Sequence, residues 1–459
     1  MLPLAQAATD NPAPWVALGL GVAALLLLIP LRLMMKRRRL ILDTPTSKTA
    51  GVTIGLAELK GTAEEMTPLR SFLAEAAVVH YAYTIEEHWR RTVTETYTDD
   101  KGNTRTRTRV ESGWTTVAQG GEQVPFWLQD DSGRIRVLPD GAKIEPRCVF
   151  SECCTPFSAL YYGKGPSGAI CDSTLERRFT ENAICLGYLL YLMGPVRARE
   201  DVAEPEVAAD KTAEMFLIST RSEESIVSGY GWLTALWGTL GFLLSAGVPL
   251  PFDLCAGADF GTALERQIGW MILGVTLYFF MVLGLYATGL FNGLIRLRER
   301  VKRAWAMVEV ELQRRGDLIP NLAEAVRAYA AHEQDVQKAV ARLRSGAAAR
   351  THDAPTDAQV EAGMQAARDQ AAAAGRLLAI AEDYPALKAS DLYQKLAASL
   401  VETENRLALG RSFFNASVEL HNARLLRFPD SLLTHLGGFA TVKYYEAEPE
   451  KKAVVQVAF

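Results

Sequence analysis

Cysteine is scarce, with six in 459 residues. That is too few for a disulfide scaffold. Cys148, Cys153, Cys154, Cys171, Cys185 and Cys255 include no C-x-x-C pair. The first four sit close enough in sequence to suggest a metal site, but their spacing fits no known zinc knuckle. Free thiols are the favoured reading, and a reducing compartment suits them. Histidine is equally rare: His80, His88, His332, His352, His421 and His435. His332-Glu333 opens like H-E-x-x-H, but the second histidine position is Val336, so a one-face zinc site fails. A G-x-S-x-G nucleophile turn and a G-x-x-x-x-G-K-S/T phosphate loop are both missing. An excess of one charge is missing as well. Lys+Arg 49 against Asp+Glu 53 gives net charge -4, which excludes a protein built mainly to bind nucleic acid.

Long hydrophobic runs are present. The mean hydropathy of +0.03 averages over three of them. Trp15 to Met35 is apolar except for Arg32, and Tyr230 to Phe252 and Gly269 to Phe291 carry no charge. Roughly 20 apolar residues of helix cross a hydrocarbon core. Trp15, Trp232 and Trp270 lie near the run ends, where indoles favour the interface.

The first run is followed, not preceded, by its basic cluster, Lys36-Arg37-Arg38-Arg39. A cleaved signal has the opposite order, so this is expected to be a retained anchor with its N-terminus outside. The loop from Asp253 to Ile268 has one basic residue, Arg266, and is expected outside. Arg296, Arg298, Arg300, Lys302 and Arg303 follow the third run and are expected inside.

The expected layout begins with an external N-terminus, 1–14. Spans occupy 15–35, 230–252 and 269–291, with a basic linker at 36–48 and an external loop at 253–268. A β-rich domain fills 49–200 and a linker 201–229. A helical bundle occupies 292–439 and a tail 440–459.

Within 49–200, Val78–Ile85 reads as a strand, and Asp99 to Asn103 is a turn cluster. Thr104–Val110 alternates Thr and Arg. Phosphate contact is one reading of it; a charged edge strand that resists edge-to-edge pairing is favoured. Phe126–Leu128, Asp130-Asp131-Ser132-Gly133 and Arg134–Leu138 read as a hairpin. Ile184–Met193 is too short to span a membrane and reads as a buried strand.

After the third run the period becomes helical: Leu294, Leu297, Val301, Ala304, Val308, Leu312. The third span and this helix form one candidate rod, expected to kink or break at Gly316–Pro320 and to resume to Leu343. Ser345–Pro355 reads as a loop, and Thr356 with Gln359 as a capping box. An alanine-rich helix to Asp383 follows, then a helix over 391–428. The apolar stripe of that last helix is Leu392, Leu396, Leu400, Leu407, Phe414, Val418, Leu425 and Phe428. The fold class is a multidomain membrane protein with three transmembrane helices, a β-rich cytoplasmic domain and an antiparallel α-helical bundle.

The β-rich domain resembles the mitochondrial ubiquitin ligase activator family (MULAN/GIDE). The likeness rests on Gly55–Gly61, Pro68-Leu69, Glu86-Glu87, Trp114, Pro125-Phe126, Asp130 to Ile135, Glu181 and Gly187. Ligase activity in that family comes from a C-terminal RING. With no paired zinc-ligand spacing in this chain, the resemblance implies only a domain beside a membrane.

The helical region resembles the LemA family. Asn292, Leu294-Ile295, Leu297-Arg298, Val301, Ala304-Trp305, Arg314-Arg315, Asp317–Leu322, Tyr329 and His332-Glu333 begin the series. Ala381-Glu382, Tyr384-Pro385, Leu387-Lys388, Glu404-Asn405-Arg406, Arg411, Phe414-Asn415 and Asn422 continue it. Phe428-Pro429, Gly438-Phe439, Tyr445-Glu446 and Val457–Phe459 close it. The resemblance implies an external N-terminus, an internal bundle and a link to bacterial membrane organisation, including magnetosome membranes. It implies no defined biochemical activity.

The candidate structural or interaction residues are therefore Arg314, Asp317, Pro320, Asn321, Glu404, Asn405, Arg411, Asn415 and Asn422. Asn405 or Asn415 is expected to bond backbone freed by Pro320, and Arg411 to pair with an acidic residue. Lys36, Arg37, Arg38, Arg39, Arg296 and Arg298 are candidate lipid-headgroup contacts. No catalytic, metal or cofactor residue is expected. The expected function is a non-enzymatic scaffold or organiser of the bacterial inner membrane that self-associates through its bundle. The alternative is an adaptor recruiting a cytoplasmic client. Expected partners are the bilayer and further copies of the chain, with no nucleic acid.

Overall fold

The computed structural model describes residues 12–98, 104–199, 204–211, 213–327, 355–382, 384–388, 390–434 and 437–446. The chain divides into two compact units, Thr46–Ser222, and Met1–Pro45 with Glu223–Phe459.

The first of these is β-rich. Its strands are β1 (Thr46–Ser47), β2 (Gly55–Glu64), β3 (Val78–Thr98), β4 (Thr104–Gln123), β5 (Phe126–Gln129) and β6 (Arg134–Val137). Then come β7 (Lys143–Glu145), β8 (Arg147–Cys154), β9 (Ser173–Cys185), β10 (Leu189–Ala198), β11 (Pro205–Val207) and β12 (Leu217–Ser219). β2 pairs β5, β5 pairs β6, β6 pairs β11, β11 pairs β10, and β10 returns to β2. That ring is a small barrel. Its lumen is filled by alternate residues of the strands, among them Leu59, Phe126, Leu128, Val137, Leu190 and Leu192. Alternation is what a closed sheet demands, because successive side chains point to opposite faces.

The β5–β6 hairpin forms as its sequence dictates. The Asp130 carboxylate accepts the amides of Ser132 at 2.7 Å and Gly133 at 3.1 Å, an Asx turn that reverses the chain. The run Ile184–Met193 is not one strand. β9 ends at Cys185, the chain turns at Gly187 (φ +76°), and β10 starts at Leu189. Uniform hydrophobicity hid the turn, and only a glycine takes that backbone conformation without strain.

A second sheet runs β4-β3-β9-β8. Arg177 on β9 and Glu87 on β3 are fully buried and paired at 3.0 Å. The same guanidinium donates to the carbonyls of Tyr161 (2.9 Å), Pro166 (2.7 Å) and Gly168 (2.7 Å). One side chain thus grips the segment between β8 and β9, which contains the short helix Ala159–Gly163. A buried pair persists when its remaining donors are also satisfied, as here.

The second unit is helical. It contains α1 (Ala13–Leu26), α2 (Leu28–Leu42), α4 (Glu223–Gly247), α5 (Leu250–Leu254) and α6 (Phe260–Arg327), taking the Ala159–Gly163 helix as α3. Next are α7 (Asp357–Glu382), α8 (Pro385–Lys388), α9 (Asp391–Leu426) and α10 (Ser431–Thr434). Pro30 lacks the N–H that would bond back to Leu26, which accounts for the break between α1 and α2. Pro249 and Pro251 likewise separate α4 from α5. Three helical segments are long and apolar enough to cross a membrane: Ala13–Leu42, Glu223–Gly247 and the apolar part of Phe260–Arg327. Phe242 and Tyr278 meet edge to face at 5.0 Å between α4 and α6.

α6 has 68 residues and reaches about 100 Å at 1.5 Å per residue. It passes through Gly316–Pro320, where a kink or break was expected, and continues to Arg327. Two causes are visible. Residue 316, four before the proline, is glycine, and Leu312, Arg315, Ile319 and Leu322 are all buried on either side of Pro320. Packing along that face outweighs one lost hydrogen bond. The expected continuation to Leu343, and the loop at 345–354, lie outside the described residues.

Two cores hold α6, α7 and α9 together. One contains Val301, Trp305, Val308, Met364, Leu407 and Phe414; the other Ile319, Leu322, Val326, Leu377, Tyr393 and Leu400. α7 begins with half of the expected capping box, the Thr356 amide donating to Gln359 Oε1 at 2.8 Å. On α9, Leu400, Leu407, Phe414, Val418 and Leu425 are buried and Leu392 is exposed; Phe428, also exposed, lies beyond the helix end at Leu426. Tyr393 fills the inward position that the stripe gave to Leu392.

Candidate functional site

A cluster of buried and half-buried charges lies where α2 ends. Asp43 follows that helix and is buried. Its carboxylate accepts from Arg424 Nη1 and lies 3.9 Å from Arg296 Nη2. Its backbone carbonyl accepts from Arg300 Nη1, and Arg300 Nη2 reaches Thr44 Oγ1 at 3.0 Å. Arg424 also forks onto Asp430, at 2.7 and 3.2 Å. Arg39 stacks over the Tyr286 ring, 4.5 Å from its centroid.

α6 supplies the room for this knot. A Cβ at residue 289 would sit 3.0 Å from Arg39 Nη1, and one at residue 293 would sit 3.3 Å from Asp43 Oδ2. Gly289 and Gly293, one turn apart, leave two notches for polar groups from α2. Two carboxylates and four guanidiniums therefore tie the end of the first apolar segment to α6 and to the end of α9. Charge-assisted forks of this kind fix geometry more tightly than single point charges.

The headgroup candidates divide. Lys36, Arg37 and Arg38 are exposed, whereas Arg39 and Arg296 are half-buried in the knot. Arg298 lies over the Phe439 ring at 5.4 Å. Asp43, Arg424 and Asp430 were not singled out from sequence, and Arg300 was read only as part of the basic cluster after the third apolar run. Asp43 stands just after the basic cluster at 36–39.

Further along α6, Arg314, Asp317 and Asn321 line one shallow surface groove of about 340 Å³ with Val310, Gln313 and Leu318. Their spacing of three, four and seven residues puts them on one face. Pro320 adjoins this face and is itself exposed. Arg314 lies 3.9 Å from Glu402. The neighbouring Arg315 points inward, 2% exposed, and pairs with Glu404 at 2.7 Å. Asn405 is exposed.

Among the described residues Arg411 makes no acidic pair; it stacks on Tyr445, 4.9 Å from the ring centroid. Burial pushes the Tyr445 hydroxyl up, with the Arg411 charge pulling the other way. Asn415 does not bond backbone near Pro320 either. It donates to the Tyr445 carbonyl at 2.9 Å and accepts the Tyr445 amide at 2.8 Å. Asn422 does the same for Val442, at 2.8 and 3.0 Å. Two asparagines two turns apart thus hold an extended tail against α9, as a neighbouring strand would. His421 contacts the Ala440 carbonyl at 3.1 Å, and burial pushes its imidazole down.

Among the described residues, no group of three or more His, Cys, Asp or Glu is placed to hold a metal ion. Cys148, Cys153, Cys171 and Cys255 are exposed and Cys154 is buried, all as free thiols. His332, His352 and His435 lie outside the described residues.

Two family models match parts of the chain. Residues 304–459 match the family model described as LemA family. Residues 94–248 match the GIDE model, described as E3 Ubiquitin ligase. The chain is similar to Magnetosome protein MamQ of Magnetospirillum gryphiswaldense, 28% identical over 178 residues, 35% of this chain and 65% of that protein. Magnetosome proteins MamQ 1 and MamQ 2 of Paramagnetospirillum magneticum are each 25% identical over the same lengths. The chain thus spans about two thirds, 65%, of these relatives.

Proposed function

We infer that this chain, which joins a GIDE-like region to a LemA-like region, is a non-enzymatic scaffold of a bacterial inner membrane. It self-associates through its helical bundle, which we read as antiparallel. The observation that carries this reading is α6. One uninterrupted helix starts as a membrane-span candidate and ends inside the LemA-matched core. The knot at Asp43 ties the same core to the first apolar segment. A bundle so attached cannot swing freely, so its free surfaces face neighbouring molecules in the same membrane.

Positive-inside asymmetry supports an N-terminus outside and both large units in the cytoplasm. The basic residues Lys36, Arg37 and Arg38 then meet anionic headgroups. Similarity to the MamQ proteins supports a membrane-associated role. The GIDE description names a ligase, but the ligand pairs of a RING are missing from this sequence.

The test is crosslinking of the full chain in native membranes, followed by sizing in detergent. The scaffold reading expects multimers at native expression. Monomers alone would overturn it.

A second reading is a membrane-anchored adaptor whose β-rich unit recruits a cytoplasmic client. The segment gripped by Arg177 favours it, because it displays Phe157 at 99% and Tyr162 at 55% exposure. Exposed aromatics on a fixed segment suit an interface. Phe157→Ser would then lose a co-purifying client while leaving multimers intact.

A further inference from the structure

β3 and β4 outrun their sheet. β9 accompanies β3 only to Trp89, where Ser173 is its last partner. One more bond follows, the Arg90 amide donating to the Asp172 carbonyl at 2.9 Å. From there to Thr98, β4 is the only strand paired with β3 among the described residues. The result is a two-stranded ribbon, residues 90–98 against 104–112, projecting about 30 Å at 3.3 Å per residue. An isolated ribbon of two strands is marginal in water, and an open edge is a template for pairing.

The two edges of this ribbon differ. β4 alternates Thr with Arg, so antiparallel pairing of β4 with itself about its middle sets Arg107 and Arg109 against their own kind. Like charges directly opposite one another are destabilising. The β3 edge carries no such block. Backbone groups of a strand alternate sides, and Arg90 directs its amide outward, so Thr92, Thr94 and Thr96 also present their N–H and C=O groups to the open edge.

We propose that the free edge of β3 pairs antiparallel with the same edge of a second copy, about a two-fold axis at Thr94. In that register Thr94 faces Thr94, Thr92 faces Thr96, Val93 faces Glu95, and Arg91 faces Tyr97. Glu95 lies diagonal to the other copy's Arg91, an opposite-charge contact. Arg91 against Tyr97 is a cation and a ring. The other face carries Thr92, Thr94 and Thr96 beside Val110, Thr108 and Thr106, with Arg90 its one charged residue on β3, at the ribbon's base. The two ribbons become one four-stranded sheet whose outer edges are the arginine-bearing β4 strands. Those charges then stop further strand addition, so the pairing closes at two copies.

The pairing extends the self-association inferred above, but it uses the ribbon and not the bundle, so the two are separable by experiment. Thr94→Cys in the full chain places two thiols across the axis with Cα atoms about 5.5 Å apart, within disulfide reach. In isolated membranes with a mild oxidant, T94C is expected to give several-fold more covalent dimer than either the unmodified protein or Thr106→Cys. The unmodified protein sets the background from its own exposed thiols. Adding Glu95→Gln to T94C removes the diagonal charge contact without setting like charges across from Arg107, and should lower the excess several-fold. Equal crosslinking at 94 and 106, or at the background level, overturns the pairing. Multimers surviving in that case would leave the bundle-mediated scaffold standing; their loss would remove both.

Discussion

Gly363 on α7 faces the Trp305 indole so closely that an added Cβ would lie 2.6 Å from its Cη2 atom. Trp305 cannot retreat. It packs against Phe414 with ring centroids 5.3 Å apart, and its Nε1–H donates to Glu309 at 2.7 Å. Gly363→Ala should therefore destabilise the helical unit by about 1–3 kcal/mol, the usual cost of overpacking. Thermal unfolding followed by helical circular dichroism checks this; an unchanged or raised midpoint would contradict it. The same scale separates Arg314 from Arg315. Adjacent helical residues differ by about 100° in direction, so one lines a surface groove and the other reaches Glu404. Composition made them equivalent, and their rotational phase did not.

The elements themselves were largely legible. The Asx turn of β5–β6, the strand at Val78, the helical period after Leu294 and the start of α7 all follow local rules. Two failures share a cause. Pro320 did not break α6, one of the two outcomes expected there, and Gly187 divided an apolar run, because buried neighbours and a single backbone dihedral decided the outcome. The tail segment is a third case, since an extended stretch docked through side-chain amides has no periodic signature. Asn415→Ala strips both polar partners from the Tyr445 backbone, and Asn422→Ala does so at Val442. Unsatisfied backbone groups cost about 1–3 kcal/mol each when buried. Either change should expose the tail to protease under conditions where the bundle stays intact, and the double change should do so faster. Equal cleavage rates in all variants would show that apolar contacts at Val442 and Tyr445 hold it alone.

At the scale of the whole molecule, the chain's own cysteines report its orientation. Cys255 lies between the second and third apolar helices, whereas Cys148, Cys153 and Cys171 belong to the β-rich unit, and all four are exposed. With the N-terminus outside, a membrane-impermeant thiol reagent applied to intact spheroplasts should label Cys255 alone. The other three should react only after the membrane is opened. The reverse pattern would invert the arrangement. Sequence by itself determined the three apolar segments, the change from strand to helix periodicity and the two family likenesses. Each of these is written in neighbouring residues, as hydropathy, spacing or ordered motifs. Tertiary structure alone decided the closure of the barrel, the burial of Arg177 with Glu87, the tail held by two asparagines and the knot at Asp43. Asp43 and Arg424 meet across 381 positions of chain, and no local pattern encodes a contact that depends on how several helices are rotated and how deep two glycine notches let them approach.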